Sequence, residues 1–136
     1  MKTNLVDLLC SLCKKCADNH ESLFSTMPIS GTEFYFFMQL PKRKKYSIQF
    51  VMKTMNIPQT KISRLITNLI NHNYVCRETG KGDKRTVSVC LTDKGLLMWD
   101  FIHEYKCNCE KKIQKLLNKD EREEFMRYST ILLEGL

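Results

Sequence analysis

The chain has 136 residues, suited to one domain with a single core, and its 43% hydrophobic and 27% charged content is that of a globular protein, not a disordered one. No apolar run approaches the length of a membrane span, and the opening MKTNLVDLLCSLCKK spaces its apolar residues in a stripe where a signal peptide needs a continuous block, so the expected location is cytoplasmic, without membrane contact. Seven cysteines in such a chain are expected as thiols in a reducing compartment, and an odd number cannot pair completely within one chain.

Residues 4–23 place Leu5, Leu8, Leu9, Leu12, Cys13 and Cys16 at three- and four-residue spacings, which predicts an amphipathic helix capped by Thr3 or Asn4. Ser30 with Glu33 three positions on is a capping-box signal opening a short helix over 31–40. Its aromatic run Phe34, Tyr35, Phe36, Phe37 predicts a largely buried element. Pro41 stops it, and Lys42, Arg43, Lys44 and Lys45 are expected as an exposed basic loop. Ser47 caps a helix over 48–55 that Asn56 closes. The next helix is expected with Pro58 as its first residue; Ile62, Leu65, Ile66, Leu69 and Ile70 form its apolar face, and Asn73 is the left-handed residue at its end.

Two strands, over 74–79 and 85–91, then make a hairpin around Gly80-Lys81-Gly82-Asp83. Strict alternation assigns Val87, Val89 and Leu91 to one side and Thr86, Ser88 and Cys90 to the other. Thr92 or Asp93 caps a long helix to about residue 118, with a seam of Met98, Ile102, Tyr105, Cys109, Ile113 and Leu116. A final helix from about residue 120 carries Phe125, Met126, Tyr128, Ile131, Leu132 and Leu136.

Charge placement says more than the total of +7. Residues 41–94 hold twelve Lys and Arg against three acids, so the flanks are slightly acidic and the centre strongly basic, the footprint of a polyanion-binding unit. The predicted order of short helix, sharp joint, second helix and hairpin is a winged helix-turn-helix. The second helix of such a pair enters the major groove N-terminus first, and here that end offers Gln59, Thr60, Lys61, Ser63 and Arg64 with no acid among them. Lys42, Arg43, Lys44 and Lys45 are expected on phosphates. In the wing, Lys81, Lys84 and Arg85 are the expected DNA contacts, with an arginine there suited to a narrow minor groove. Asp83 either braces Arg85 or forms an Asx turn.

The stretch from Ile57 to Gly95 resembles the core of the multiple antibiotic resistance regulator (MarR) family. The resemblance rests on Asp83-Lys84-Arg85, the apolar Val87 and Val89, and Leu91-Thr92-Asp93-Lys94-Gly95, with Leu65 to Val75 matching the end of the recognition helix. Asn73 stands where many relatives carry glycine. The resemblance implies a mainly α fold with a small β-hairpin wing, in which 29–95 form the DNA-binding lobe and 1–28 and 96–136 are dimerisation helices of one domain. It implies a homodimeric repressor or activator on double-stranded DNA, with a pseudo-palindromic operator whose half-sites lie roughly 34–36 Å apart and with effectors acting near the dimer helices. The apolar residues of the first and last helices, more than one small domain readily buries, independently suggest a homodimer.

Cys10, Cys13 and Cys16, with Cys107 and Cys109, allow three readings: packing thiols, a redox switch, or ligands of a metal or iron–sulfur cluster, with no cofactor needed for DNA binding itself. Spacing by three on a continuous helix fans the first three apart instead of converging them on one ion. Cys76 and Cys90 fall in the hairpin with no partner motif, and His20, His72 and His103 are expected as surface or helix-end residues. A winged helix used for protein contact is a competing class. An enzyme is not expected, since glycine-rich phosphate loops, Ser/His/Asp patterns and paired carboxylates in apolar settings are lacking.

Overall fold

The computed structural model describes residues 4–79 and 87–136. Its elements are α1 (Leu5–Phe24), α2 (Gly31–Gln39), β1 (Lys45–Ser47), α3 (Ile48–Met55), α4 (Gln59–Asn71), β2 (Val75–Thr79), β3 (Val87–Leu91), α5 (Asp93–Leu116) and α6 (Lys119–Gly135). The chain divides into two compact units, Met1–Trp99 and Asp100–Leu136.

The first unit is organised around aromatic residues. Phe34, Phe36, Phe37, Tyr46 and Tyr74 are at most 1% exposed, and edge-to-face contacts link Phe36 to Phe37 (5.2 Å), Phe36 to Tyr46 (5.9 Å) and Phe37 to Tyr74 (5.4 Å). Tyr35, on the opposite face of α2, is 43% exposed. The Ser30–Glu33 capping box forms as expected. It does more than close a helix, because the second carboxylate oxygen of the buried Glu33 hydrogen-bonds Nδ1 of His72 at 2.7 Å. His72 therefore ties the end of α4 to the start of α2, a structural role its helix-end position did not disclose.

The wing is broader than a hairpin. Its sheet has three antiparallel strands in the order β1-β3-β2. Lys45, Tyr46 and Ser47 pair with Cys90, Val89 and Ser88, so the basic stretch expected as a loop ends in a strand. Three residues are too few to show a period, and the partner strand lies over forty positions away in sequence. With neighbours on both edges, β3 buries Ser88 as well as Val89 and Leu91, and the alternation expected to leave Ser88 on an open face holds only in part. β2 starts at Val75, one residue later than expected, and the strand now described on the other side starts at Val87; residues 85 and 86 lie outside the described residues.

Helix ends follow local chemistry with one correction. Asn56 (φ 52°) and Asn73 (φ 62°) are both left-handed, a conformation asparagine tolerates better than most residues. Pro58 is the N-cap of α4, in extended conformation, and not its first residue. Its carbonyl accepts from the N–H groups of Lys61 and Ile62, a cap position where the missing proline N–H costs nothing.

The Leu91-Thr92-Asp93-Lys94-Gly95 motif fastens α5 to the turn after α4. The Thr92 hydroxyl accepts from Gly95 N–H at 3.0 Å and reaches the carbonyls of Asn73 and Tyr74. Lys94 Nζ donates to the His72 carbonyl at 2.8 Å and sits 4.7 Å from the Tyr74 ring centre. Gly95 passes so close to Tyr74 that a Cβ there would overlap the Tyr74 carbonyl oxygen. Further along, Trp99 Nε1 donates to the Leu40 carbonyl at 3.0 Å.

The second unit contains the rest of α5 and α6. Asn118 and Glu121 form a capping box at the start of α6, and Arg122 donates to the Leu117 carbonyl at 2.7 Å. Leu116, Phe125, Met126, Ile131, Leu133 and Leu136 are all exposed.

Gly95→Ala gives a test of the close approach. At an ordinary helical glycine this change stabilises by up to about 1 kcal/mol; here it should destabilise by about 1–3 kcal/mol, measured by urea unfolding. A neutral or stabilising result would show that the backbones are not in contact.

Candidate nucleic-acid interface

The candidate surface is built on α4. Its apolar face is fixed by burial: Ile62, Leu65, Ile66 and Leu69 are at most 3% exposed. At 3.6 residues per turn this turns the remaining positions outward. Gln59, Thr60, Lys61, Ser63, Arg64 and Thr67 are all exposed, so the five residues singled out from the sequence share the solvent side of one helix. No side chain caps α4, and its first N–H groups point from the same end as Gln59 and Thr60. The α3–α4 joint is set by the left-handed Asn56 and by Ile57 N–H donating to the Met52 carbonyl at 3.2 Å. An open cleft of about 530 Å³ with Ser47, Gln49, Met52, Gln59, Ser63 and Val87 among its lining residues lies between α3, α4 and the base of the wing.

The four basic residues after Pro41 do not form a uniform patch. Lys42 Nζ lies 5.6 Å from the centre of the Trp99 ring. The Arg43 guanidinium stacks 4.4 Å from the Phe50 ring centre, and its backbone N–H donates to Tyr46 Oη, which donates in turn to the Pro41 carbonyl at 2.7 Å. Lys44 is exposed, and its carbonyl accepts from Leu91 N–H, extending the sheet. Lys45 is a strand residue whose Nζ stands 3.5 Å from Glu78 Oε1. All four are exposed, and the Lys45 charge is met by Glu78 within the sheet.

Lys81, Asp83, Lys84 and Arg85 lie outside the described residues. The framework that carries them does not: β2 runs to Thr79 and the chain re-enters at Val87, its register partner. Sequence reasoning missed Arg77. It pairs across β2–β3 with Val89, is exposed, and borders the same small cleft as Ser63 and Ile66 of α4. The signal was present in the strand alternation, which puts Arg77 on the face opposite Cys76 and Glu78, but only the packing of that face against α4 gives the position meaning.

Of the candidate metal or redox cysteines, Cys10, Cys13 and Cys16 lie on α1 and Cys107 and Cys109 on α5. Cys10, Cys13, Cys16 and Cys107 are exposed and Cys109 is half-buried, all as free thiols. Among the described residues no group of three or more His, Cys, Asp or Glu side chains comes together as a metal site. Nor, among those residues, is any helix long and apolar enough to cross a membrane.

Comparison with known proteins places this geometry. No curated protein matches the chain. Among solved structures it is similar to MepR from S. aureus in its DNA complex, with a TM-score of 0.85, 15% identity and coverage of 99% of this chain and 100% of that one. It is also similar to FabT from Streptococcus pneumoniae in complex with DNA (TM-score 0.83, 19% identity, 96% and 94% covered). A third likeness is to a MarR protein from Peptoclostridium difficile (TM-score 0.81, 15% identity, 99% and 88% covered). At these identities the likeness is one of fold, and it is the winged-helix fold of the MarR regulators. Residues 21–102 match the family described as transcriptional regulator SarA/Rot, and with that stretch covering more than half of its length the chain belongs to the SarA/Rot family of transcriptional regulators, a family of regulators and not of enzymes.

Proposed function

We propose that the protein is a homodimeric, sequence-specific double-stranded DNA-binding regulator that sets α4 in the major groove and lays the wing along the backbone. The observation that carries this reading is the acid-free polar row Gln59, Thr60, Lys61, Ser63 and Arg64 on the exposed side of a helix whose other side is locked into the core. Arg64 can bond a guanine edge bidentately and Gln59 an adenine edge, while Thr60 and Ser63 suit either. Lys44, Arg77 and the basic residues of the wing supply phosphate neutralisation around them. The MepR and FabT structures, which share the fold, contain DNA. A dimer seated on a promoter occludes it, so repression is the default outcome.

Dimerisation is supported by two helices that leave most of their apolar residues open in the single chain. No residue of α1 or α6 is buried, and Leu5 (74%), Leu12 (50%), Phe125 (55%) and Ile131 (56%) remain open to water. Apolar surface of this extent on two helices calls for a second copy. Twofold symmetry then presents two α4 helices to two half-sites about one DNA turn apart.

Two measurements test the reading. With a duplex selected by the protein from random DNA, Arg64→Ala should reduce the preference for that duplex over random sequence by about 1–3 kcal/mol. Lys44→Ala should weaken both alike and lower the salt slope by about one. An Arg64→Ala protein that keeps full preference would remove α4 as the reading head. In sedimentation the parent chain should be a dimer at micromolar concentration, and the pair Leu12→Glu and Phe125→Glu should shift it to monomer; a monomeric parent would sink the homodimer.

A further inference from the structure

The two hairpin cysteines are direct partners. In the β2–β3 register Cys76 stands opposite Cys90. Directly opposed residues of antiparallel strands have Cα atoms about 4.5–5.5 Å apart, inside the roughly 4.4–6.8 Å range that a disulfide spans. Both are free thiols, Cys76 exposed and Cys90 half-buried. Cys76 Sγ lies 3.8 Å from the Cys90 carbonyl oxygen, over the backbone of the facing strand. Cys90 Sγ is turned along the strand and donates to Glu78 Oε2 at 2.9 Å, while the other oxygen of Glu78 faces Lys45. Four reactive or charged side chains from three strands thus share one face of the sheet.

Their environments differ. The hydrogen bond to Glu78, then burial, then the Glu78 charge push the Cys90 thiol up to about 11. The same hydrogen bond, followed by the Lys45 charge, holds the Glu78 carboxyl below its usual range. Cys90 is kept protonated beside a carboxylate, and Cys76 is the open sulfur.

We propose that Cys76 and Cys90 are a peroxide-responsive dithiol that closes to a disulfide across the base of the wing. The Cys76 thiolate attacks one oxygen of a hydroperoxide; the O–O bond breaks, the leaving oxygen takes a proton as water or alcohol, and Cys76 becomes a sulfenic acid. Cys90 then rotates from Glu78 to Cys76, and its sulfur attacks the Cys76 sulfur. The S–S bond forms, the S–O bond breaks, and the departing hydroxide takes the Cys90 proton, leaving as water. The two sulfurs lose two electrons and the peroxide gains them. Closure draws the facing Cβ atoms from about 4.5–5.5 Å toward the roughly 3.8 Å of a disulfide, changing the twist of the strands that carry the wing tip. This consequence for DNA rests on the DNA-binding reading; the chemistry of the pair does not.

The experiment treats the full-length protein with hydrogen peroxide, blocks remaining thiols, and maps the peptides by mass. A Cys76–Cys90 linked peptide, lost on adding dithiothreitol, is expected. Cys90→Ser should leave a Cys76 sulfenic acid trapped by dimedone, and Cys76→Ser should leave Cys90 unoxidised. Recovery of both residues fully blocked, or of Cys76 joined to any other cysteine, would overturn the pair. In the second arm, oxidation should lower affinity for the selected duplex about tenfold, and Cys76→Ser should abolish that loss; unchanged affinity with the bridge formed would overturn the switch. If the reduced protein binds no duplex at all, the DNA reading fails while the peptide map still decides the thiol pair.

Discussion

The geometry of the helix pair and sheet of the first unit hangs on the place where the backbones of Tyr74 and Gly95 meet. Three elements converge there: the end of α4, the start of β2 and the start of α5. Thr92 bridges them with a single hydroxyl, which accepts from the first turn of α5 and reaches the carbonyls that the left-handed turn at Asn73 leaves exposed. Lys94 takes the carbonyl of His72, and His72 in turn meets the buried Glu33. The Thr92 hydroxyl, the Gly95 N–H, the Lys94 ammonium and the carbonyls of His72, Asn73 and Tyr74 are all hydrogen-bonded there. The glycine is needed because no side chain fits between two main chains at that distance.

From this crossing follows the relation between α4 and the sheet. The end of α4 runs directly into β2, so the direction of the hairpin is set within three residues of the helix end. β3 then returns to the same point through Leu91 and Thr92. The sheet is further held by β1, whose Tyr46 reaches into the aromatic core while its hydroxyl closes the basic turn. Within the basic stretch the backbone extends the sheet, the Arg43 guanidinium lies over Phe50 of α3, Lys45 faces Glu78, and Lys44 is exposed. A charge run that looks uniform in sequence is divided by the fold among different neighbours.

The same division applies to the cysteines. Those on α1 and α5 follow ligand-like spacings, each within a single helix. Those in the hairpin had no motif and turn out to be register partners. Sequence spacing reports proximity only within an element, and in a sheet the informative neighbour is on another strand.

Much of this protein was determined by sequence alone, because the determining interactions are local. The capping box at Ser30 joins residues three apart; the asparagines at 56 and 73 take left-handed turns; and burial of Ile62, Leu65, Ile66 and Leu69 turns Gln59, Thr60, Lys61, Ser63 and Arg64 outward by helical period. The Leu91 to Gly95 motif was legible as a pattern, though its reason, the contact with Tyr74, was not. Only the tertiary structure decided that Lys45 to Ser47 form a third strand, that Ser88 is buried between two neighbours, that Arg77 lies beside α4, that Glu33 binds His72, and that Cys76 faces Cys90. Each of these joins residues far apart in the chain, where no period or cap carries information. The pairing depends on which surfaces remain once the aromatic core has closed.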